Sequence, residues 1–239
     1  MPPFETKPGM ISIVGAGPGD PELLTIKALN RIRNADVILY DALHGMEILE
    51  LANPKTELIY AGKLYCDGQH QTERQEKIHN QLKKLALEGK QVVRLKAGDP
   101  FIFGRGAEEL AFCLEEGLNV EIIPGITAGL AAANCFHIPM TLRNKNSMAL
   151  FYTGHKRKGG FDEIEVVASV LKTGAPVIVY MGLRNLIMLS KELLELGINP
   201  QTPVQIASKV GHEDEQLFTT RLEEVESFLE ENEDRKSVV

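Results

Sequence analysis

Short apolar runs recur along the chain, and each is followed by a glycine-containing turn and then by a segment with helical periodicity. The runs are continuously apolar, which is typical of strands buried on both faces of a parallel sheet. The predicted strands are residues 11–14, 37–40, 58–61, 92–95, 120–123, 149–152, 177–180, 204–207 and 216–220. This β–α alternation predicts a doubly wound α/β fold.

The intervening segments carry apolar stripes at helical spacing. Leu24, Ala28 and Ile32 form one stripe, and Ile78, Leu82 and Leu85 form another. Glycines end the helices predicted before them, at Gly89, Gly117 and Gly197. These stripes predict helices that pack on the sheet through one face.

The most favourable internal boundary follows the fifth strand, at Pro124–Gly125. It predicts an N-terminal α/β domain over residues 10–123 and a C-terminal α/β domain over residues 124–239. The second part is looser, with a hairpin predicted around residues 211–215 and a solvated acidic helix over residues 223–234.

Composition narrows the classes of protein. The 239 residues are 44% hydrophobic and 25% charged, with a formal net charge of -7 and no basic stripe, which argues against a nucleic-acid partner. No apolar stretch reaches the roughly 20 residues that span a bilayer, and the N-terminus does not resemble a signal peptide. The three cysteines, Cys66, Cys113 and Cys135, are widely spaced and form no CxxC motif. We therefore expect reduced thiols in a cytoplasmic protein, with no zinc site.

Ligands of open parallel sheets bind beyond the carboxyl ends of the strands, so the segments after each strand are the candidate loops. The first, GAGPGD, follows a strand and opens a helix, as a dinucleotide-binding loop would, with Asp41 near the position of a ribose-binding acid. Asp20 in place of the last glycine and Pro18, which lacks a backbone donor, argue against that interpretation.

Two ionisable residues follow strands two and three. Asp41 is either a helix N-cap or turn residue, or a carboxylate partly withdrawn from water that could accept a proton. Lys63 is either a surface lysine or a desolvated ammonium that acts as an acid or anion clamp.

The fourth strand leads into KAGDPFIFGRGAEE, the longest loop of the set. Arg105 lies between two glycines and could bind a carboxylate bidentately. Glu108 could hold Arg105 or only favour the first turn of the next helix, and spacing alone favours the second. Asp99–Pro100 could be a simple turn initiator.

Other candidates have plain structural alternatives. The histidines show no metal-ligand spacing, so His155 and His212 are interpreted as ordinary polar residues. Met181 is by default a core methionine, although a thioether after a buried strand could pack on a ligand.

The ordered set of loops resembles the tetrapyrrole methylase family over almost the whole chain. The motifs that carry the resemblance are VGAGPGDPELLT, ADVILYDAL, AGK, VVRLKAGDPFIFGRGAEE, IPGITA, TGH and VYMGL. The resemblance implies a two-domain fold, with a mainly parallel sheet in the N-terminal domain and a mixed sheet in the C-terminal one. It also implies a homodimer, with S-adenosyl-L-methionine (SAM) in the cleft between the domains.

Site residues follow from the resemblance, position by position. Residues expected to hold SAM are Pro18, Gly98, Asp99, Ile102, Thr127, Ala128, Met181 and Gly211. Asp41 matches the proton acceptor and Lys63 the proton donor, while Arg105 and Glu108 match residues beside the tetrapyrrole.

The implied reaction methylates C2 and then C7 of uroporphyrinogen III, through precorrin-1, to give precorrin-2 in sirohaem or cobalamin biosynthesis. Each methylation leaves S-adenosyl-L-homocysteine, and no metal is required. The substrate's eight carboxylates need cationic partners, for which the candidates are Arg105, Lys63, Arg143 and Lys156. No added dehydrogenase–chelatase segment is visible, so we expect other proteins to perform later steps.

Three positions depart from the family pattern. Ala97 replaces a glycine and would be strained if it needed positive φ, Leu142 interrupts the usual THR, and residues 66–75 form a longer segment. The alternatives to the leading interpretation are a later corrin-ring methylase, a nucleotide-dependent oxidoreductase and a non-catalytic tetrapyrrole carrier.

Overall fold

The computed structural model describes residues 9–41, 46–62, 71–157 and 160–232. The chain divides into two compact units, Met1–Ala128 and Gly129–Val239. Each of them contains strands and helices in alternation, as the apolar runs predict. No helix among the described residues is long and apolar enough to cross a membrane.

The first unit contains a five-stranded parallel sheet in the order β3-β2-β4-β1-β5. Its strands are β1 (Met10–Gly15), β2 (Val37–Tyr40), β3 (Glu57–Tyr60), β4 (Gln91–Lys96) and β5 (Asn119–Ile123). Its helices are α1 (Ile26–Arg33), α2 (Glu47–Glu50), α3 (Gln71–Leu87) and α4 (Gly106–Glu115), with a 3-10 turn at Pro21–Leu23. All five predicted strands are confirmed.

Local sequence signals set the ends of these helices. The Thr25 hydroxyl accepts a hydrogen bond from the backbone N–H of Ala28 at 3.1 Å and caps α1. Gly89, with φ of 78°, follows the end of α3, where a left-handed residue is needed to turn the chain into β4.

Both faces of the sheet are buried, because helices cover each of them. Ile13 and Leu39 face α3 and α4, while Val14 and Leu95 face α1 and α2. Side chains of β4 alternate between these two layers, so even positions such as Arg94 enter the layer beneath α3 and α4.

The second unit combines parallel and antiparallel pairs. Strands β6 (Leu150–Thr153) and β9 (Val177–Tyr180) are parallel; β7 (Lys156–Arg157) with β8 (Gly160–Phe161), and β10 (Pro203–Ser208) with β11 (Gln216–Arg221), are antiparallel. Its helices are α5 (Ala128–Cys135), α6 (Ile164–Lys172), α7 (Leu186–Glu195) and α8 (Val225–Glu231), with 3-10 turns at Leu183–Asn185 and Leu222–Glu224. The β10–β11 pairing confirms the predicted hairpin.

The structure contains the predicted C-terminal acidic helix, but this helix is shorter than expected and one of its faces is buried. It spans Val225–Glu231, and its apolar residues Val225 and Leu229 are buried. Their spacing of four residues places them on one face, which packs inward while the glutamates face water.

One ion-pair network ties α1 to the sheet and gives a stability prediction. Glu121 accepts hydrogen bonds from Ser12 Oγ at 2.8 Å and from Arg31 Nε at 2.5 Å, and pairs with Lys27. Burial raises the pKa of Glu121, but the hydrogen bonds from Arg31, Lys27 and Ser12 outweigh burial and lower that pKa to about 2. The stabilisation is therefore present above the ordinary pKa of 4.5 and is lost as pH falls towards 2.

Glu121→Gln is expected to lower the free energy of unfolding by about 1–2 kcal/mol at neutral pH, a value discounted because both cations are partly exposed. The loss should be less than half as large near pH 3, where the wild-type carboxylate has begun to lose its advantage. Urea unfolding at the two pH values measures the difference. An equal loss at both would contradict the charge-based explanation.

Candidate active site

Two glycines join the loops that follow β1 and β4. Gly98 N–H donates to the carbonyl of Gly17 at 2.8 Å, and Gly17 N–H donates to the carbonyl of Gly98 at 3.2 Å. At the Ala97–Gly98 turn, positive φ falls on Gly98, at 65°, and not on Ala97. The strain considered for Ala97 is therefore absent, and the glycine-to-alanine departure is compatible with the turn.

The first loop is closed by Asp20 instead of by a dinucleotide-type glycine. The Asp20 carboxylate accepts a hydrogen bond from the backbone N–H of Glu22 at 2.8 Å and caps the following 3-10 turn. Pro18 is buried in the same loop. Both features agree with the argument from sequence against a pyrophosphate cradle.

The loop after β5 packs directly against the other two. A Cβ at Gly125 would lie 2.2 Å from the carbonyl oxygen of Gly98 and 2.8 Å from Cα of Gly15, so backbones touch there without side chains between them. The Asp99 carboxylate accepts hydrogen bonds from the backbone N–H groups of Phe101 at 2.8 Å and Gly125 at 3.1 Å. The turn role considered for Asp99 is confirmed, and the carboxylate also links two loops.

These three loops fit a ligand that is held by backbone groups. Gly98 has no side chain. A Cβ there would lie 3.7 Å from Cα of Thr127, at ordinary van der Waals distance, and Thr127 is buried just before α5. Ile102 is half-buried, and its N–H donates a hydrogen bond to the Asp99 carbonyl at 3.3 Å, which closes the turn. A small cradle of backbone groups suits the adenosine and methionine parts of SAM.

Asp41 lies directly after β2, at the carboxyl edge of the sheet. Its side chain is 33% exposed, and its Oδ2 accepts a hydrogen bond from Arg94 Nη2 at 2.6 Å. The Lys96 ammonium lies 3.8 Å from the same oxygen. The N-cap explanation is wrong, because the residue before α2 is Met46 and no side chain caps that helix.

Beneath Asp41, three charged side chains are buried under α3 and α4. Arg94, Lys96 and Glu109 are 2%, 5% and 0% exposed. Glu109 Oε1 accepts from Arg94 Nε and from Lys96 Nζ, each at 3.0 Å. Two cations and the two carboxylates of Glu109 and Asp41 balance one another, which is the condition for tolerating buried charge.

Burial affects the two cations differently. Burial opposes the charge of Arg94, but Glu109 and Asp41 outweigh it and raise the pKa of Arg94. Burial and the neighbouring guanidinium lower the pKa of Lys96, against the opposing effect of both carboxylates. Arg94 is therefore the permanent cation of the cluster.

The cluster extends to α3 through Gln75. Gln75 Nε2 donates to Glu109 Oε1 at 3.3 Å and lies 3.1 Å from His79 Nε2, so the His79 nitrogen is the acceptor in that contact. His79 stacks on Phe112 with ring centroids 4.3 Å apart, and burial lowers the pKa of His79. Glu109 Oε2 is buried and has no hydrogen-bond partner in the described part of the chain.

The arginine, lysine and glutamate of this cluster were missed in the sequence, although a signal was present. Arg94 and Lys96 alternate within the apolar run 92–95 and its continuation, in a strand predicted to be buried on both faces. A charge at such a position must find a buried partner, so it is a better indicator of a special site than a charge in a loop.

Arg105 and Glu108 form a bidentate pair. Arg105 Nε and Nη2 donate to the two Glu108 oxygens at 2.9 and 2.5 Å. The hydrogen bond raises the pKa of Arg105 and lowers the pKa of Glu108. Both side chains remain exposed, so Glu108 holds the guanidinium at the surface, which the spacing argument did not favour.

The loop before this pair has an unusual backbone. Phe103 and Arg105 adopt left-handed φ values of 54° and 59° on either side of Gly104. Phe103 and Phe101 are 41% and 51% exposed. The loop thus presents apolar rings and a held guanidinium, a combination suited to a ligand with pyrrole rings and carboxylate substituents.

In the second unit, Met181 is not a core residue. It is 51% exposed, has φ of 53°, and its Sδ lies 3.1 Å from His155 Nε2. Gly211 has φ of 83° within the β10–β11 turn, and its N–H donates to Glu215 at 3.0 Å. The core explanation for Met181 is therefore wrong, because its side chain is half exposed and its thioether contacts His155.

Of the other residues expected at the site, some lie near the start of α5 and some lie outside the described residues. Thr127 is buried and Ala128, the first residue of α5, is exposed. Lys63 lies outside the described residues, as do residues 66–70 of the extended segment and the side chain of Lys156. Within the described ranges, no group of three His, Cys, Asp or Glu side chains could hold a metal ion.

Comparison with known proteins identifies the class to which this fold and these loops belong. The family model for Tetrapyrrole (Corrin/Porphyrin) Methylases matches residues 10–226. The chain therefore belongs to the tetrapyrrole methylase family, and the resemblance noted in the sequence is confirmed.

Within that family, two similar proteins are uroporphyrinogen III methyltransferases. The chain is 50% identical to the uroporphyrinogen-III C-methyltransferase of Bacillus subtilis over 82% of this chain and 74% of that protein. It is 45% identical to the S-adenosyl-L-methionine-dependent uroporphyrinogen III methyltransferase of Arabidopsis thaliana, over 82% of this chain and 52% of that one.

Solved structures of a similar methyltransferase have the same fold. The uroporphyrin-III C-methyltransferase of Thermus thermophilus has a TM-score of 0.77 and 38% identity, covering 92% of this chain and 91% of that one. A structure of that enzyme complexed with S-adenosylhomocysteine gives a TM-score of 0.75 and 36% identity, covering 92% of this chain and 86% of that one.

Proposed function

We propose that this protein is a SAM-dependent uroporphyrinogen-III C-methyltransferase, which methylates C2 and then C7 to give precorrin-2 through precorrin-1. The observation that carries the proposal is Asp41, held by a buried arginine at the carboxyl edge of the sheet, beside backbone loops joined by glycines. Family membership and the relatives' names support the choice of substrate and donor.

The cradle of the loops after β1, β4 and β5 is assigned to SAM. The proposed contacts in the first unit are Pro18, Gly98, Asp99, Ile102, Thr127 and Ala128, and in the second unit Met181 and Gly211. SAM supplies a methyl group on a positively charged sulfur, which is already activated for transfer. The protein's task is therefore to align the ring carbon and to manage one proton.

Asp41 is assigned as the acceptor of that proton. When the ring carbon forms its new bond to the methyl group, the carbon–sulfur bond breaks, S-adenosyl-L-homocysteine is left, and the ring loses a proton. A carboxylate 33% exposed, with one oxygen fixed by Arg94, can take it up. Lys63 remains the proposed proton donor on the strength of the family match alone.

The substrate's carboxylates are assigned to exposed cations at the loops. Arg105 is held in place by Glu108, and Arg143 is exposed in the segment after α5. A fixed guanidinium loses little freedom when it binds a carboxylate, which favours both affinity and orientation.

Anaerobic incubation with uroporphyrinogen III and methyl-labelled SAM tests the proposal. We expect two labels per ring and the absorption of precorrin-2. Absence of transfer by folded protein, while an established methyltransferase works in parallel, would reject the function. Label transfer only to a later corrin precursor would instead support the corrin-ring alternative.

The family resemblance also implies a cytoplasmic homodimer. The buried, free thiol of Cys113 is compatible with a reducing compartment. Sedimentation at several protein concentrations measures the oligomeric state.

A further inference from the structure

The charged cluster under Asp41 costs free energy to desolvate, and its contribution to stability does not explain why these charges are present. Arg94, Lys96 and Glu109 occupy positions where a sheet covered by helices normally carries apolar side chains. Replacing a buried ion pair by apolar residues of similar volume is often neutral or stabilising. Another role should therefore account for the charges.

Arg94 is fixed from both ends. Its Nε donates to Glu109 Oε1 at 3.0 Å, its Nη1 lies 3.4 Å from the Leu95 carbonyl, and its Nη2 donates to Asp41 Oδ2 at 2.6 Å. Glu109 Oε1 is itself held by Lys96 and Gln75. The planar fork thus joins a fully buried anion on α4 to a partly exposed anion at the edge of the sheet.

Solvent exposure increases along this series of contacts, from Glu109 through Arg94 to Asp41. Glu109, Arg94 and Lys96 are nearly or fully inaccessible, whereas Asp41 is 33% exposed. Among these four residues, Asp41 alone offers a carboxylate to a ligand. Any constraint that Arg94 imposes is expressed at that carboxylate.

We propose that Arg94 is a positioning residue for the methyltransferase reaction: it orients the Asp41 carboxylate, and Glu109 is the buried anion that holds Arg94 in place. The inference rests on the proposed function, in which Asp41 accepts the proton. Because Oδ2 is bound to Arg94, the accepting atom is Oδ1. The transferred proton forms an O–H bond there as the ring C–H bond breaks, and Arg94 stays protonated throughout.

Of the two cations in the cluster, Arg94 makes the shorter contact with Asp41. Its Nη2 lies 2.6 Å from Asp41 Oδ2, whereas Lys96 Nζ lies 3.8 Å from the same oxygen. Its removal should therefore disturb the orientation of Asp41 more than the removal of Lys96 would.

Arg94→Met is the main test, with kcat, KM and S-adenosylhomocysteine affinity as readouts. Lys96 and Gln75 continue to partner Glu109 in this variant. We expect kcat to fall about 10- to 100-fold and the affinity to stay within about threefold. Arg94→Lys restores the charge but cannot bridge both carboxylates, so we expect only part of kcat to return.

Arg31→Met is the matched control. Arg31 forms an ion pair with Glu121 in the same unit, away from Asp41, and its loss should leave kcat unchanged. A folded Arg94→Met with wild-type kcat would overturn the inference. If that variant fails to fold, Arg94→Lys decides: reduced kcat with intact affinity supports the inference, and unchanged kcat overturns it.

Asp41→Asn separates this inference from the proposed function. Full kcat in Asp41→Asn would remove Asp41 as acceptor and the inference with it. Loss of kcat in Asp41→Asn, combined with no effect of Arg94→Met, would overturn only the role of Arg94.

Discussion

Replacing Asp41 with Asn is expected to slow methyl transfer by about 10²- to 10⁴-fold while S-adenosylhomocysteine affinity stays within about threefold. The amide oxygen can still accept the hydrogen bond from Arg94, so the local geometry is largely retained. The amide cannot take up the proton that the ring loses. Single-turnover label transfer and calorimetric binding measure the two quantities separately.

Asp36→Asn is a matched control for that experiment. Asp36 lies just before the opposite end of β2, where its Oδ2 accepts a hydrogen bond from the backbone N–H of Gln91 at 2.7 Å. The same substitution there should leave the rate of methyl transfer unchanged. Parallel loss of rate, affinity and thermal stability in Asp41→Asn would show that Asp41 is structural.

Replacing Gly125 with Ala is expected to disrupt the SAM cradle. The new Cβ would lie 2.2 Å from the Gly98 carbonyl oxygen, and the obstructing atoms are backbone, so no side chain can rotate away. We expect the free energy of unfolding to fall by about 3 kcal/mol and S-adenosylhomocysteine affinity to fall at least about tenfold. Thermal unfolding and calorimetry measure the two effects.

Gly117→Ala controls for the general cost of adding a methyl group to a glycine in this unit. Gly117 has φ of 66° but no atom within 4 Å of the added Cβ, so only backbone strain of about 1 kcal/mol is expected. Affinity should not change. Equal losses in the two variants would mean that close packing of the loops is unimportant for the cradle.

The strands were predictable because their signal is local. Continuous apolar runs bounded by glycine turns specify a buried parallel strand from a few neighbouring residues, and those of β1 to β5 required nothing else. The extent of the last helix was less predictable, because the acidic composition of residues 223–234 conceals two apolar residues, Val225 and Leu229, that decide where it packs.

The site was predictable only where chemistry lies in loops at strand ends. Asp41, Arg105 and Glu108 were found by this rule, and the pairing of the last two was left open. Glu108 and Glu109 are adjacent and identical in type, yet one is 52% exposed and the other 0%. Successive helical residues differ in direction by about 100°, so only the docking of α4 reveals which glutamate meets the buried cations.

Backbone conformation explains another limit of prediction. Met181 follows a buried strand and is apolar, so a core position was the natural expectation. A left-handed φ of 53° directs the chain so that this methionine is half exposed instead. That φ arises from the turn as a whole and has no signature in the residue type.

The turn at Ala97–Gly98 also determines how freely this loop can evolve. Position 98 has positive φ and exchanges backbone hydrogen bonds with Gly17, so nearly every mutation there carries a conformational penalty. Position 97 is exposed and has no such restriction, so a side chain is tolerated. The two neighbouring positions therefore differ in the substitutions they accept. The fold restricts position 98 to glycine, whereas position 97 can change without loss of the fold.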